Sequence, residues 1–211
     1  MIFKARWILL PLFLLLGACG GLVDLGPQGP APQVFTLAPL PRADAQSEGA
    51  ARLLVEQPIL SGALESRRIA VRRGDLEIAY LAGARWEEAV PQLLQRHLVQ
   101  SLDNRAGLEA VGEGSLDLPV DHRLRLDLRA FNAVTTDRPG RPRIAIAWVA
   151  TLLDGETPEV VASRYFQSSR NATSDAPAAV AATFNATLND IAGDMVEWIE
   201  SEIAGPRATA G

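Results

Sequence analysis

One cysteine, two histidines and a set of clustered arginines are the residues of this chain whose chemistry could define a site. Cys19 stands alone, so no internal disulfide and no multi-cysteine metal site can form. It follows Leu16-Gly17-Ala18, an aliphatic residue and two small ones, which suits an extended chain lying in a narrow peptidase groove. The chemistry open to a lone cysteine in that setting is nucleophilic attack by sulfur. His97 falls within an apolar helical pattern and is expected at a core edge or on the surface. His122 opens a strand with a charged face and is expected to be solvated. No HExxH, P-loop or Gly-x-Ser-x-Gly pattern occurs. A Ser–His–Asp arrangement is favoured by no spacing. Arg67, Arg68, Arg72 and Arg73 form a local basic cluster. It could meet a phosphate headgroup or an acidic partner, although a solvated hairpin edge is the commoner meaning. Asn171-Ala172-Thr173 and Asn185-Ala186-Thr187 match the glycosylation sequon, to which no function is attached here.

The residues before Cys19 explain its chemistry. Lys4 and Arg6 give a basic start, and Trp7 to Leu16 is a ten-residue apolar run interrupted by Pro11. That is the layout of a secretory signal. A permanent span needs roughly 20 apolar residues. With Leu16-Gly17-Ala18-Cys19 it resembles a bacterial lipobox. Residues 1–18 are therefore expected to be removed between Ala18 and Cys19, and Cys19 to carry a diacylglyceryl thioether and a further acyl chain. Each buried CH₂ contributes about 0.8 kcal/mol, so several chains hold where one is marginal. Gly20 stands where an aspartate would favour inner-membrane retention. The expected location is the outer membrane, on its periplasmic face.

The net charge is −5. Removing the two basic residues of the leader takes it to −7, which makes nucleic acid a poor partner. Residues 19–32 are rich in Gly and Pro and read as a tether. Residues 33–204 are expected to form one domain and 205–211 a frayed tail. Pro41 to Ala50 is expected to be a loop. Trp86, Trp148 and Trp198 are expected in the core, with Trp86 at a pocket rim as the alternative.

The elements follow from periodicity. Gln33–Leu37, Arg52–Glu56 and Leu108–Val111 read as strands. Arg67–Arg72 and Asp75–Leu81 read as a hairpin about Gly74, with Ile69, Val71, Leu76, Ile78 and Tyr80 as its alternating apolar set. Val90, Leu93, Leu94, Leu98 and Leu102 make one stripe on a helix over Glu87–Asn104. Pro91 places its start near Trp86–Glu88. Arg123–Phe131 is a half-buried strand, with Leu124, Leu126, Leu128 and Ala130 on one face and Arg123, Arg125, Asp127 and Arg129 on the other. Ile144–Leu153 is a central strand, Asp154-Gly155 a tight turn, and Val160–Ser168 the return. A last helix over Asp175–Ile203 buries Val180, Phe184, Leu188, Ile191, Met195, Trp198 and Ile199. The fold class is α/β of the α+β kind: a mixed, largely antiparallel sheet covered by two principal helices.

Several segments together resemble a known family. Val34-Phe35-Thr36-Leu37-Ala38-Pro39 is similar to an aromatic-x-Leu-Pro opening, with Phe35 where tyrosine is usual. Arg52–Glu56, then Ile78-Ala79-Tyr80 with Arg85-Trp86, Pro91 and Leu94, then Arg125–Asn132 and Ala147-Trp148 follow in the same order. The chain thus resembles the auxiliary lipoproteins of ABC-type transport systems, of the paraquat-inducible protein C type. The resemblance implies a non-catalytic role with no cofactor. It implies work beside an ABC permease and ATPase and a substrate-binding subunit of the mammalian-cell-entry (MCE) type. Such systems are thought to move lipids between inner and outer membranes, and the lipoprotein would dock their far end. A homo-oligomeric ring would match a tubular partner by its cyclic symmetry. An envelope-assembly scaffold, a tethered hydrolase or a ligand sensor are the rival readings.

Overall fold

Three long strands supply most of the sheet. In the computed structural model, which describes residues 31–43, 49, 51–60, 62–114 and 119–204, β6 (His122–Val134), β7 (Arg143–Asp154) and β8 (Val160–Asn171) form the expected antiparallel meander. The leader, Cys19, the tether up to residue 30, most of the 41–50 loop and the 205–211 tail lie outside the described residues.

β6 is the hub. One edge carries β7. The other is shared end to end by two shorter strands, both parallel to it. β2 (Arg52–Val55) pairs its first residues, Leu53 with His122 and Val55 with Leu124. β3 (Arg68–Arg73) pairs its last, Val71 with Ala133. A single bridge from Ile59 to Asp127 continues the line between them. β2 also carries β5 (Ala110–Glu113), and β3 carries β4 (Glu77–Trp86), which in turn carries β1 (Gln33–Phe35). The sheet is mixed, and its long ladders are the antiparallel ones.

Helix α1 (Val90–Arg105) and helix α2 (Pro177–Ala204) join the inward residues of the sheet in one core. α1 buries Val90, Leu93, Leu94, Leu98 and Leu102 as the stripe predicts. Trp86, Phe131 and Phe184 meet at its centre. Trp86 and Phe184 stand edge to face with ring centroids 5.3 Å apart, and Phe131 lies 4.9 Å from Phe184, an arrangement that aromatic quadrupoles favour. Trp86, Trp148 and Trp198 are all buried, Trp86 without exposure to a pocket.

The structure corrects several expectations. α1 starts at Val90 rather than near Trp86–Glu88, because β4 runs on to Trp86, whose N–H bonds Arg67 O (2.7 Å), and the backbone is still extended at Ala89 (ψ 150°). Leu76 is 98% exposed and Ile78 42%. Arg72 pairs with Ile78 and Ala70 with Tyr80, on the face opposite Val71. The register then slips before Arg68 meets Arg85, with Gly83 at φ +67° in the slipped stretch. The even-numbered set thereby turns inward at Ala84 and Trp86.

A second slip explains Ala130. Leu128 faces Trp148 and Ala130 faces Ala147, so Arg129 has no opposite residue. A bulge of that kind exchanges the two faces. Inward positions pass from Leu124, Leu126 and Leu128 to Phe131 and Ala133, and Ala130 is outside the core. β5 lies at Ala110–Glu113, not Leu108–Val111, because its parallel register to β2 begins at Arg52 and Ala110. β1 stops at Phe35, and Thr36 and Leu37 leave the sheet. His122 is only 7% exposed, since it shares the inward parity of Leu124 and lies between β2 and β7.

Candidate functional surfaces

After β1 the chain runs as an irregular strap, Thr36–Ala43, against polar side chains of both helices. An irregular segment must find partners for its backbone groups outside the sheet. Ala38 N–H donates to Asn185 Oδ1 (2.6 Å) and Ala38 O accepts from His97 Nε2 (3.1 Å). Leu40 N–H donates to Ser101 Oγ (3.1 Å), and Leu40 O accepts from Asn104 Nδ2 (2.9 Å). Ala43 N–H reaches Asn104 O (3.0 Å), and Thr36 Oγ1 donates to Glu87 (2.5 Å). Leu37, within the strap, is buried in the core. His97, Ser101 and Asn104 lie four and three residues apart on α1, and Asn185 lies four before Asn189 on α2. Helical spacing thus aims each set along one face.

His97, expected at a core edge or on the surface, is instead buried, because it lies on the inward face of α1 with Leu93, Leu94 and Ser101. Nε2 also lies 2.8 Å from Asn189 Oδ1. Both neighbours are acceptors, so Nε2 carries the proton, and Nδ1 has no hydrogen-bond partner among the described residues. Burial holds the imidazole down at about 4, against the opposing pull of the bonds to Asn189 and Ala38. The ring is therefore neutral at neutral pH and acts as a fixed donor. Asn185, the start of one sequon, is likewise committed to the strap.

The arginine cluster is not one patch. Arg67 Nε bonds Trp86 O (3.3 Å), Arg68 stacks 3.6 Å over the Tyr80 ring, and Arg73 pairs with Glu77 (3.3 Å). On the neighbouring surface Glu56 holds Arg125 (2.9 Å) and Arg123 (3.5 Å). The sequence reading missed the strap residues Ser101, Asn104 and Asn189. Their signal was there: polar residues recurring at core-facing helical positions.

β8 is an edge strand. It pairs with β7 alone among the described residues and exposes Val160, Val161 and Tyr165. Such a row of main-chain groups can accept a strand from a partner. Among the described residues no three His, Cys, Asp or Glu side chains converge to hold a metal, and no helix is long and apolar enough to cross a membrane. Cys19 and Ala18 lie outside the described residues.

Comparison with known proteins supplies the rest. The chain is 32% identical over 113 residues to an uncharacterized protein of Bradyrhizobium diazoefficiens; the match covers 54% of this chain but only 30% of that protein. The crystal structure of protein XCC0632 from Xanthomonas campestris has a TM-score of 0.71 at 26% identity, covering 81% of this chain and 96% of that one. A second crystal structure, of an uncharacterized protein, shares the fold at a TM-score of 0.62 and 15% identity, over 81% of this chain and 99% of that one. Residues 35–196 match the model of the ABC-type transport auxiliary lipoprotein component. That stretch begins at Phe35, the last residue of β1, takes in β2 to β8 and ends within α2; the chain belongs to the ABC-type transport auxiliary lipoprotein family.

Proposed function

We propose that this chain is the outer-membrane lipoprotein of an MCE-type ABC transport system, anchored by lipid on Cys19 and docking the periplasmic end of the assembly during lipid transfer between the membranes. The family match over residues 35–196 carries the reading. The Leu16-Gly17-Ala18-Cys19 sequence supports the anchor, Gly20 supports the outer membrane, and the Gly- and Pro-rich residues to Pro32 suit a spacer. The core polar groups His97, Ser101, Asn104 and Asn185 hold the strap, which fits a protein that works by binding rather than by turning over a substrate. Its partners are then an MCE-domain protein with its permease and ATPase.

Affinity capture of the full-length protein from gently solubilised membranes tests the docking. Recovery of an MCE-domain protein with its ATPase and permease supports it. Recovery of envelope-assembly proteins alone overturns it in favour of a scaffold. The anchor is tested separately: the protein purified from membranes should begin at Cys19 and carry the added mass of a diacylglyceryl group and a further acyl chain, and an unmodified cysteine removes the lipid assignment.

A further inference from the structure

At the end of the inner sheet face nearest the start of α2, the core lies open. Val71, Leu81, Ala133 and Val180 line a cleft of about 370 Å³ there. Val71 and Leu81 are only partly buried and rest against the core, so the floor is apolar and continuous with the interior. The rim belongs to the turn between β6 and β7, residues 135–142. Thr135 N–H bonds Arg72 O (3.1 Å) at one end of that turn, and Ala172 N–H bonds Pro142 O (2.8 Å) at the other. Inside it, Thr136 Oγ1 lies 3.0 Å from Arg141 O and accepts from Arg138 N–H (3.2 Å). A braced turn therefore presents Arg138 and Arg141 at the mouth.

The charge balance there is specific. Arg73 also lines the cleft but is engaged by Glu77. Asp175 contributes one negative charge at the same rim. Neither Arg138 nor Arg141 makes an ion pair among the described residues. A second concavity, with Asp137, Asn171 and Thr173 in its wall, shares both arginines, so Asp137 is a second negative charge near them. Two uncommitted guanidinium groups at the mouth of an apolar pocket match a ligand with an anionic head and an apolar stem.

We infer that this cleft binds an organic phosphate, its oxyanion on Arg138 and Arg141 and its alkyl stem on Val71, Leu81, Ala133 and Val180. The site stands apart from the docking role, because it rests on the cleft's own residues. Hexyl phosphate is the probe, titrated by ligand-observed NMR against the full-length chain in nanodiscs of zwitterionic lipid. Inorganic phosphate and hexanol are the two half-ligands, and empty nanodiscs are the blank. Hexyl phosphate should bind at least about tenfold more tightly than either half, since head and stem are held together. Arg138→Ala with Arg141→Ala should weaken hexyl phosphate about tenfold or more and leave hexanol unchanged. Asp175→Asn should tighten hexyl phosphate, and Ala82→Trp, at an exposed wall position, should exclude both alkyl probes. Inorganic phosphate binding as well as hexyl phosphate would make this a free-anion site and overturn the assignment. So would binding that the arginine double variant leaves unchanged.

Discussion

Replacing His97 by glutamine tests whether a buried neutral imidazole holds the strap. Glutamine keeps an amide donor near Ala38 O and Asn189 Oδ1 but cannot titrate. It cannot reproduce the ring's reach to both acceptors (3.1 and 2.8 Å), so a loss of about 1–2 kcal/mol is expected at pH 7. The stronger signature is the pH dependence. The folded imidazole titrates at about 4 because it is buried, whereas an unfolded histidine titrates near 6.5. Between those values the unfolded chain holds the extra proton, so stability is full above about 6.5 and falls as pH drops toward 4. From pH 7 to about pH 4.5 this one group removes about 2 kcal/mol from the parent and nothing from His97→Gln. Urea denaturation of the chain from Pro32 onward, parent and variant at both values, measures the difference. Carboxylates contribute equally to both proteins and cancel. Parallel pH curves would refute the buried-neutral assignment.

Gly155→Ala should cost about 2 kcal/mol or more and lower the melting temperature, because an added Cβ would fall on the carbonyl of Val120. Phe184→Ala should cost about 3–5 kcal/mol by emptying the contact with Trp86 and Phe131, read by the shift of the urea midpoint. Glu56→Ala removes the partner of Arg125 and Arg123 at the surface and should cost less than about 1 kcal/mol; a larger loss would mean these pairs are shielded from water.

Glycine at 155 shows how a turn can be placed for the wrong reason: residues 155–159 join β7 to β8, a longer connection than a tight Asp-Gly turn, and Gly155 does not have the positive φ such a turn needs. Asp154-Gly155 reads as a tight turn, and Asp154 Oδ1 does accept from Glu156 N–H (3.1 Å) and Thr157 N–H (2.9 Å). The glycine itself is required by contact with Val120 and by the bond from its N–H to Asp121 O (2.9 Å). Both lie more than thirty residues earlier in the chain, where no turn rule looks.

The sequence by itself determined what is written in short-range period: the stripe on α1, the apolar face of α2, the alternation of Leu124, Leu126 and Leu128, and the meander that follows. These are legible because burial of one face imposes spacing within a dozen residues. Tertiary structure alone decided the rest. The bulge at Arg129 and the slip around Gly83 move Phe131, Ala84 and Trp86 inward, because the aromatic core needs them there and a local alternation cannot register an inserted residue. The strap depended on partners up to 147 residues away, Ala38 to Asn185. A backbone group in an irregular segment accepts whichever polar side chain the fold brings to it, and that choice is made only when α1 and α2 close over the sheet.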